Sequence, residues 1–426
     1  MAKMNDESTA ERWAEPSGPL RGVRIVDLTT MVSGPLATRI LADQGADVVK
    51  IEPPGKGDLL RAIGDVRGGI SAIFNTMNRS KRSLVLDLSK PQGTALLDRL
   101  VERADVFIQN FRPGTAERMG IGAERLCKLD PRLIYVSISG FGEKGPGARR
   151  PVYDSVMQAY SGIAASQANP ETGVPEFVRN IMCDKSTATT VAQAITAALF
   201  ARERGEGGQH LHISMLHASV AFLWPDTMES YTYLDPLDPL DPLNPGDGID
   251  ARDGEARHAR GDTLPAIRAT ADGYITFTAI HDAEFAGLCR AVGREDLIDD
   301  PRFAQTGPRT AHASQLHAIL NPIARKRTTA EWVERLLAEG VPHAVVNDLA
   351  TLHEDPQIVA NDVLVEQVHP LAGRQRQPRP VPEFEATPAA IQSPAPGLGQ
   401  HSEEVLGELG LAADEIAVLR QGGVLG

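Results

Sequence analysis

From Gly22 onward the chain alternates short runs of β-branched residues with segments of helical period, and this alternation constrains its fold more than any other feature. Strands joined through helices lie parallel, because each crossover returns the chain to the same end of the sheet. "VRIVDL" (23–28) predicts the first strand, "PLATRILADQG" (35–45) its helix and "ADVVKIE" (46–52) the second strand. "SLVLDL" (83–88), "DVFIQN" (105–110) and "LIYVSIS" (133–139) continue the series, with a helix over 91–104. The expected fold class is α/β, with a Rossmann-like, doubly wound large domain. Two longer helices follow at about 153–166 and 185–204, the second ended by "GEGGQ" (205–209).

Beyond residue 225 the character changes. "LDPLDPLDPLNPGDG" (234–248) repeats Leu-Asp-Pro, and its prolines exclude it from a helix interior or a central strand, so it reads as a linker. "DGYITFTA" (272–279) predicts a turn and strand, and "TTAEWVERLLAEG" (328–340) a helix with a Thr328/Glu331 capping box and Gly340 as its stop. The expected domains are a loose tail (1–17), the large domain (18–225), the linker (226–262), a small α+β domain (263–345) and a C-terminal segment returning to the large domain (346–426). That segment holds two short helices, about 402–409 and 413–421.

Of 426 residues, 42% are hydrophobic and 23% charged, a balance suited to a large core. A net charge of −13 argues against nucleic-acid binding, which favours a basic face. The three widely separated cysteines suggest neither a disulfide framework nor a zinc cluster, and a reducing cytoplasm is the expected setting. No secretory signal or membrane span is expected, since no stretch approaches 18 uninterrupted apolar residues.

Dinucleotide binding is poorly supported. The first strand-to-helix turn, "TTMVSGP", lacks the glycines that admit a pyrophosphate, although Glu52 stands where such enzymes hold a ribose. "GFGEKG" (140–145) has the glycine spacing but does not open a helix. Between Lys56 and Arg82 lie six basic residues (Lys56, Arg61, Arg67, Arg79, Lys81, Arg82) against Asp58 and Asp65. This excess reads equally as a solvated surface or as a phosphate site. Neither a metal cluster nor a serine-hydrolase elbow is present, and His210 and His212, alternating on a predicted strand, read as structural.

"NIMCDKSTAT" (180–189) places Asp184 before a helix, where the local reading is an N-cap. A carboxylate there would be favoured in its ionised form and available as a nucleophile.

Together, "GPLATRILADQGADVVKIEPPGKGD", "NRSKRSLVLDL", "VFIQNFRPGTAERMG", "YDSVMQAYSG", the Asp184 segment with "GEGGQ", and "APGLGQHSEEVL" resemble the class III CoA-transferases, a family that includes α-methylacyl-CoA racemases. The resemblance runs from about Gly18 to the C-terminus. It implies a CoA-transferase that moves CoA from an acyl-CoA to a free carboxylic acid, with Asp184 as the catalytic carboxylate and coenzyme A as part of the co-substrate. It places CoA against Met31, Val32, Ser33, Asn110 and Phe111, with Arg61, Lys81, Arg82, Arg118, Met119, Tyr153 and Asp154 nearby. It also implies an interlocked, ring-like homodimer. Alternatives are an acyl-CoA racemase and a non-catalytic acyl-CoA-binding protein. Racemases of the family carry a histidine where this chain has Tyr153, and a phenol, ordinarily titrating near about 10, is a poor base at neutral pH. Asp154 then reads as a hydrogen-bonding or helix-start residue. The glycine run that closes over the intermediate in some transferases has no counterpart in "LDPLDPLDPLNPGDGIDARDG".

Overall fold

The computed structural model describes residues 16–169, 172–232, 234 and 266–426. The tail to residue 15 and, apart from Leu234, the Leu-Asp-Pro repeat lie outside the described residues. The chain divides into two compact units, one spanning Met1–Asn169, Val174–Thr227 and Asp362–Gly426, the other Pro170–Gly173 and Met228–Asn361. The smaller unit runs to Asn361. Its last segment stays with it because Val346 N–H bonds the Tyr274 carbonyl at 3.0 Å.

The larger unit is built on six parallel strands: β1 (Arg24–Asp27), β2 (Asp47–Glu52), β3 (Lys81–Val85), β4 (Val106–Gln109), β5 (Ile134–Ser139) and β6 (Gln209–Ser214). Their order is β3-β2-β1-β4-β5-β6. Successive residues point to opposite faces, and both faces of β1 to β5 are largely buried, which explains their apolar runs, whereas β6 at the edge of the sheet is partly exposed. Ile25, Val48, Ile108 and Val136 pack with Leu36 and Leu41 of α1 (Ser33–Asp43) and with the long apolar helix Met182–Ala201. On the other face Val26, Val49, Leu84 and Phe107 meet α2 (Pro91–Val101), α3 (Ala123–Leu129) and the C-terminal helices Ser402–Glu408 and Ala413–Gln421. α2 buries Gly93, Leu96, Leu97, Leu100 and Val101, one stripe of a helix opened by Pro91.

The helix expected over 153–166 is divided at Gly162 (φ 97°) into α4 (Asp154–Ser161) and a single turn, Ile163–Ser166. Next come α5 (Met182–Ala201) and α6 (Met215–Thr227). The smaller unit holds a three-stranded antiparallel sheet, and the Thr328/Glu331 capping box forms as expected. Among the described residues no helix is long and apolar enough to cross a membrane.

Charge, too, is buried under the sheet's carboxyl end. Asp27, at the end of β1, accepts from Lys81 Nζ at 3.0 Å and from the hydroxyls of Thr29 and Thr38. Burial alone would raise its pKa; the Lys81 and Lys50 ammoniums and the two hydroxyls outweigh that and hold it at about 2. Burial pulls Lys81 down to about 8, yet its three acceptors, Asp27, Asn78 Oδ1 and the Pro35 carbonyl, keep it charged at neutral pH.

Replacing Lys81 by Met strips Asp27 of this cation and is expected to cost about 3 to 5 kcal/mol in urea unfolding at pH 7. Asp27→Asn together with Lys81→Met should recover most of that, and equal losses in the two proteins would refute the ionic reading. Because the Asp27 pKa is depressed, its stabilisation is present above its ordinary value of 3.8 and is lost as pH falls from there to about 2. Asp27→Asn/Lys81→Met should therefore lose less stability than wild type over that interval.

Candidate active site

The strand order reverses between β1 and β4, so the loops leaving their carboxyl ends diverge and open a crevice there. The loop after β1 enters α1 through Thr29–Val32. Asn110, just beyond β4, grips it across the reversal: its Oδ1 accepts from Thr30 N–H at 3.0 Å and its Nδ2 donates to the Thr30 carbonyl at 2.8 Å. Both ends of the amide are used, which makes Asn110 a clamp on the turn. Met31 has a φ of 67°, a left-handed conformation that costs an L-residue about 1 to 2 kcal/mol. Gly34 permits the close return, since a Cβ there would lie 2.3 Å from the Thr29 side chain.

Ser33, the first residue of α1, donates its hydroxyl to Asp184 Oδ1. Asp184 lies in the first turn of α5 but is not its cap, which is Ile181. The carboxylate that receives a helix N–H comes from another element: Asp154, first residue of α4, accepts Asp184 N–H at 2.9 Å across 30 residues of sequence. Asp154 Oδ2 accepts from Gln158 Nε2 at 2.6 Å, and Gln158 also donates to the Val178 and Asn180 carbonyls, tying α4 to the approach to α5. Asp154 is buried with both oxygens engaged; Asp184 is only partly buried. Behind them Cys183, fully buried, packs with Met157, Ile163, Met215 and Leu223.

Burial is the main influence on Asp184 and raises its pKa; the neighbouring Asp154 adds to this, while the Ser33 hydroxyl and N–H oppose it. The net direction is upward. The expectation that a capping position favours the ionised form is therefore corrected: desolvation and a second carboxylate outweigh the donors.

Of the six basic residues Lys56 and Arg67 are exposed, whereas Arg61, Arg79, Lys81 and Arg82 are held by acids and form no row of free phosphate ligands. Arg61 binds Glu52 through two nitrogens (2.8 and 2.7 Å) and donates to the Pro396 carbonyl. Glu52 is therefore filled by an arginine. Arg79 is buried against Asp43, and Lys81 against Asp27. Arg82, at the start of β3 and so at the opposite edge of the sheet, binds Asp47, Glu404 and Glu408. These counter-ions lie outside the 56–82 window, so the local excess of charge could not reveal them. Arg61, Lys81 and Arg82 thus each already have a carboxylate partner in this structure.

Phe111 and Met119 are half-buried beside the second core face, and Arg118 is exposed, bonded to Thr115. Val32 is buried and Tyr153 is 62% exposed ahead of α4. His210 and His212 stack on β6 with rings 3.7 Å apart; His210 contacts Ser137 Oγ and His212 contacts Glu143. Among the described residues no three His, Cys, Asp or Glu side chains gather in a metal-holding group. Asp58, which binds the turn from below, was not singled out from the sequence as a site residue; its one signal was being an acid among six bases.

The profile of CoA-transferase family III matches residues 20–402. An acyl-CoA transferase of Fusarium pseudograminearum is 32% identical over 435 aligned positions, covering 99% of this chain and 92% of the relative. The acetyl-CoA:oxalate CoA-transferase of Acetobacter aceti is 35% identical over 353, covering 83% and 87%. The succinyl-CoA:glutarate CoA-transferase of Mus musculus is 33% identical over 402, covering 94% and 88%. Among solved structures, a hypothetical protein of Mycobacterium tuberculosis (Rv3272) aligns with a TM-score of 0.76 at 30% identity, covering 91% of this chain and 99% of that one. A CAIB/BAIF family protein of Brucella suis aligns at 0.75 and 29%, covering 92% and 100%. The parallel α/β sheet is thus shared with solved members, the profile spans nearly the whole chain, and the protein is an enzyme of CoA-transferase family III.

Proposed function

We propose that this enzyme transfers CoA from an acyl-CoA to a free carboxylic acid through covalent intermediates on Asp184. The observation that carries the reading is the division of labour between the two acids. Asp154 is buried and engaged at both oxygens, whereas Asp184 is reachable, oriented through Oδ1 by Ser33 and through its backbone by Asp154.

An Asp184 oxygen attacks the thioester carbonyl; the C–S bond breaks and leaves an acyl-aspartyl anhydride and CoA thiolate. The thiolate attacks the Asp184 carbonyl carbon, releasing the donor acid as carboxylate and leaving an aspartyl-CoA thioester. An acceptor carboxylate attacks that carbon, again expelling the thiolate. The thiolate then takes the new acyl group, and the Asp184 carboxylate returns. No proton is gained or lost over the cycle, so a nucleophile flanked by hydroxyl and N–H donors suffices. Desolvation suits the task, since a poorly solvated carboxylate has less water to shed before attack.

CoA is assigned to the crevice at the strand reversal, against Met31, Val32, Ser33, Asn110 and Phe111, with Arg118, Met119, Tyr153 and Asp154 alongside. The substrate acids are unassigned. An interlocked homodimer belongs to the same proposal. It is supported by large apolar side chains exposed on α4 (Val156, Tyr160) and α6 (Phe222, Trp224), a surface of the kind that subunits cover.

Incubation with a panel of acyl-CoA donors and free acids, read by mass spectrometry, should show CoA exchange. Asp184→Ala should reduce it by about 10³-fold or more, and Asp154→Ala by less; the reverse order would transfer the nucleophile's role to Asp154. Because the fold raises the Asp184 pKa, the ionised group costs stability above that pKa. Asp184→Asn should therefore stabilise the protein at pH 7 while abolishing exchange, and a loss of stability would contradict the desolvation argument. Sedimentation velocity reads the dimer, and a monomer at micromolar concentration would sink that part.

A further inference from the structure

The left-handed turn at Met31 needs an external hold, because a methionine there relaxes readily to right-handed or extended backbone. Asp58 supplies one. Its Oδ1 accepts Met31 N–H at 3.3 Å and Leu60 N–H at 3.0 Å, and its Oδ2 lies 2.9 Å from Lys50 Nζ. Both side chains of that pair are fully buried. Lys50 Nζ also donates to the Thr29 carbonyl at 2.7 Å, so the ion pair holds the turn through two backbone groups, at Thr29 and at Met31. Asp58 is itself fixed, since its N–H donates to Glu52 Oε2, and Glu52 is locked by Arg61.

We infer that Asp58 is a positioning residue for the transfer reaction: through the left-handed Met31 it sets where the Ser33 hydroxyl meets the Asp184 carboxylate. Only Val32 separates Met31 from Ser33. Rotation at residue 31 would re-aim the start of α1 and carry the hydroxyl off Oδ1. Asn110 fixes the turn at Thr30, one residue earlier, and leaves the Met31 N–H to Asp58. The inference rests on Asp184 as the reactive carboxylate, yet its first test needs no substrate.

That test is an infrared titration of the Asp184 carboxyl, taken as the difference between each protein and its Asp184→Asn counterpart. The groups facing Asp184 are Ser33 from α1, Asp154 from α4 and Cys183 on its own helix. In Asp58→Asn the amide keeps an acceptor but the ion pair is gone, so Ser33 should lose its hold and the Asp184 midpoint should rise, as it should in Ser33→Ala. The double variant Asp58→Asn/Ser33→Ala should titrate like Ser33→Ala alone, because Asp58 acts through Ser33. Where a transferable acid has been found, kcat should fall by about tenfold to 10²-fold. Adding Met31→Gly, which takes the left-handed conformation without penalty, should return part of kcat.

An unchanged midpoint in folded Asp58→Asn overturns the inference, as does a full additive shift in the double variant. If Asp58→Asn does not fold, the neutral pair Lys50→Met/Asp58→Asn reads the same midpoint, and no shift there is equally fatal. Absence of CoA exchange in wild type, with the midpoint shifts intact, would refute the transfer reading and leave the positioning role standing.

Discussion

The structure depends on charge buried beneath the carboxyl end of its central sheet. Asp27, Lys50, Lys81 and Asp58 have almost no exposure, and desolvating such groups costs several kcal/mol each unless geometry returns it. The return is visible in the bonding: Lys81 Nζ has three acceptors, Asp27 four donors counting the Thr29 N–H, and Lys50 joins the Thr29 carbonyl to Asp58. An apolar core could replace these pairs without loss of stability. It could not reach up to hold a turn that has left the ladder of the sheet, whose N–H and C=O groups need polar partners. The ion pairs beneath the crevice are thus explained by what they fix above it.

Asp184 shows the complementary situation. Its surroundings do not favour its charge: burial and Asp154 act against ionisation, and only Ser33 resists. A carboxylate held in this way binds its own charge weakly, which suits the nucleophile's role proposed for it. A second base on the opposite face of an α-carbon, as racemisation would require, has no candidate in Tyr153, which stands largely exposed ahead of α4.

Much of the larger unit was legible because its signals are local and periodic. The β-branched runs became strands, the five-residue stripe of α2 became its buried face, and Thr328 with Glu331 closed its capping box. What was not legible depended on partners distant in sequence. Asp184 had the composition of a cap, but its carboxylate accepts from Ser33, and its own helix N–H is received by Asp154 from another helix. Arg61, Arg79, Lys81 and Arg82 formed an apparent phosphate site only while Glu52, Asp43, Asp27 and Glu408 were out of view. The hairpin Leu364–His369/Gly373–Pro378 was missed because its second strand, "GRQRQP", has no apolar alternation and pairs through its backbone. The family resemblance named Asp184, Ser33 and Asn110 together without needing contacts, and the structure brings Ser33 to Asp184 and Asn110 to the turn before it.

Met31 illustrates why the remaining part was out of reach. A glycine at that position would have announced a left-handed turn; a methionine conceals it. The chain therefore carries strain where glycine would have removed it, and the offsetting contacts come from Asn110, Asp58 and Lys50 on three different segments. Glycine would also have widened the unfolded ensemble. A restrained non-glycine residue gives α1 one starting direction, and with it one place for the Ser33 hydroxyl. The backbone cost at Met31 and the desolvation cost at Asp184 thus meet in a single hydrogen bond, above ion pairs strong enough to sustain both.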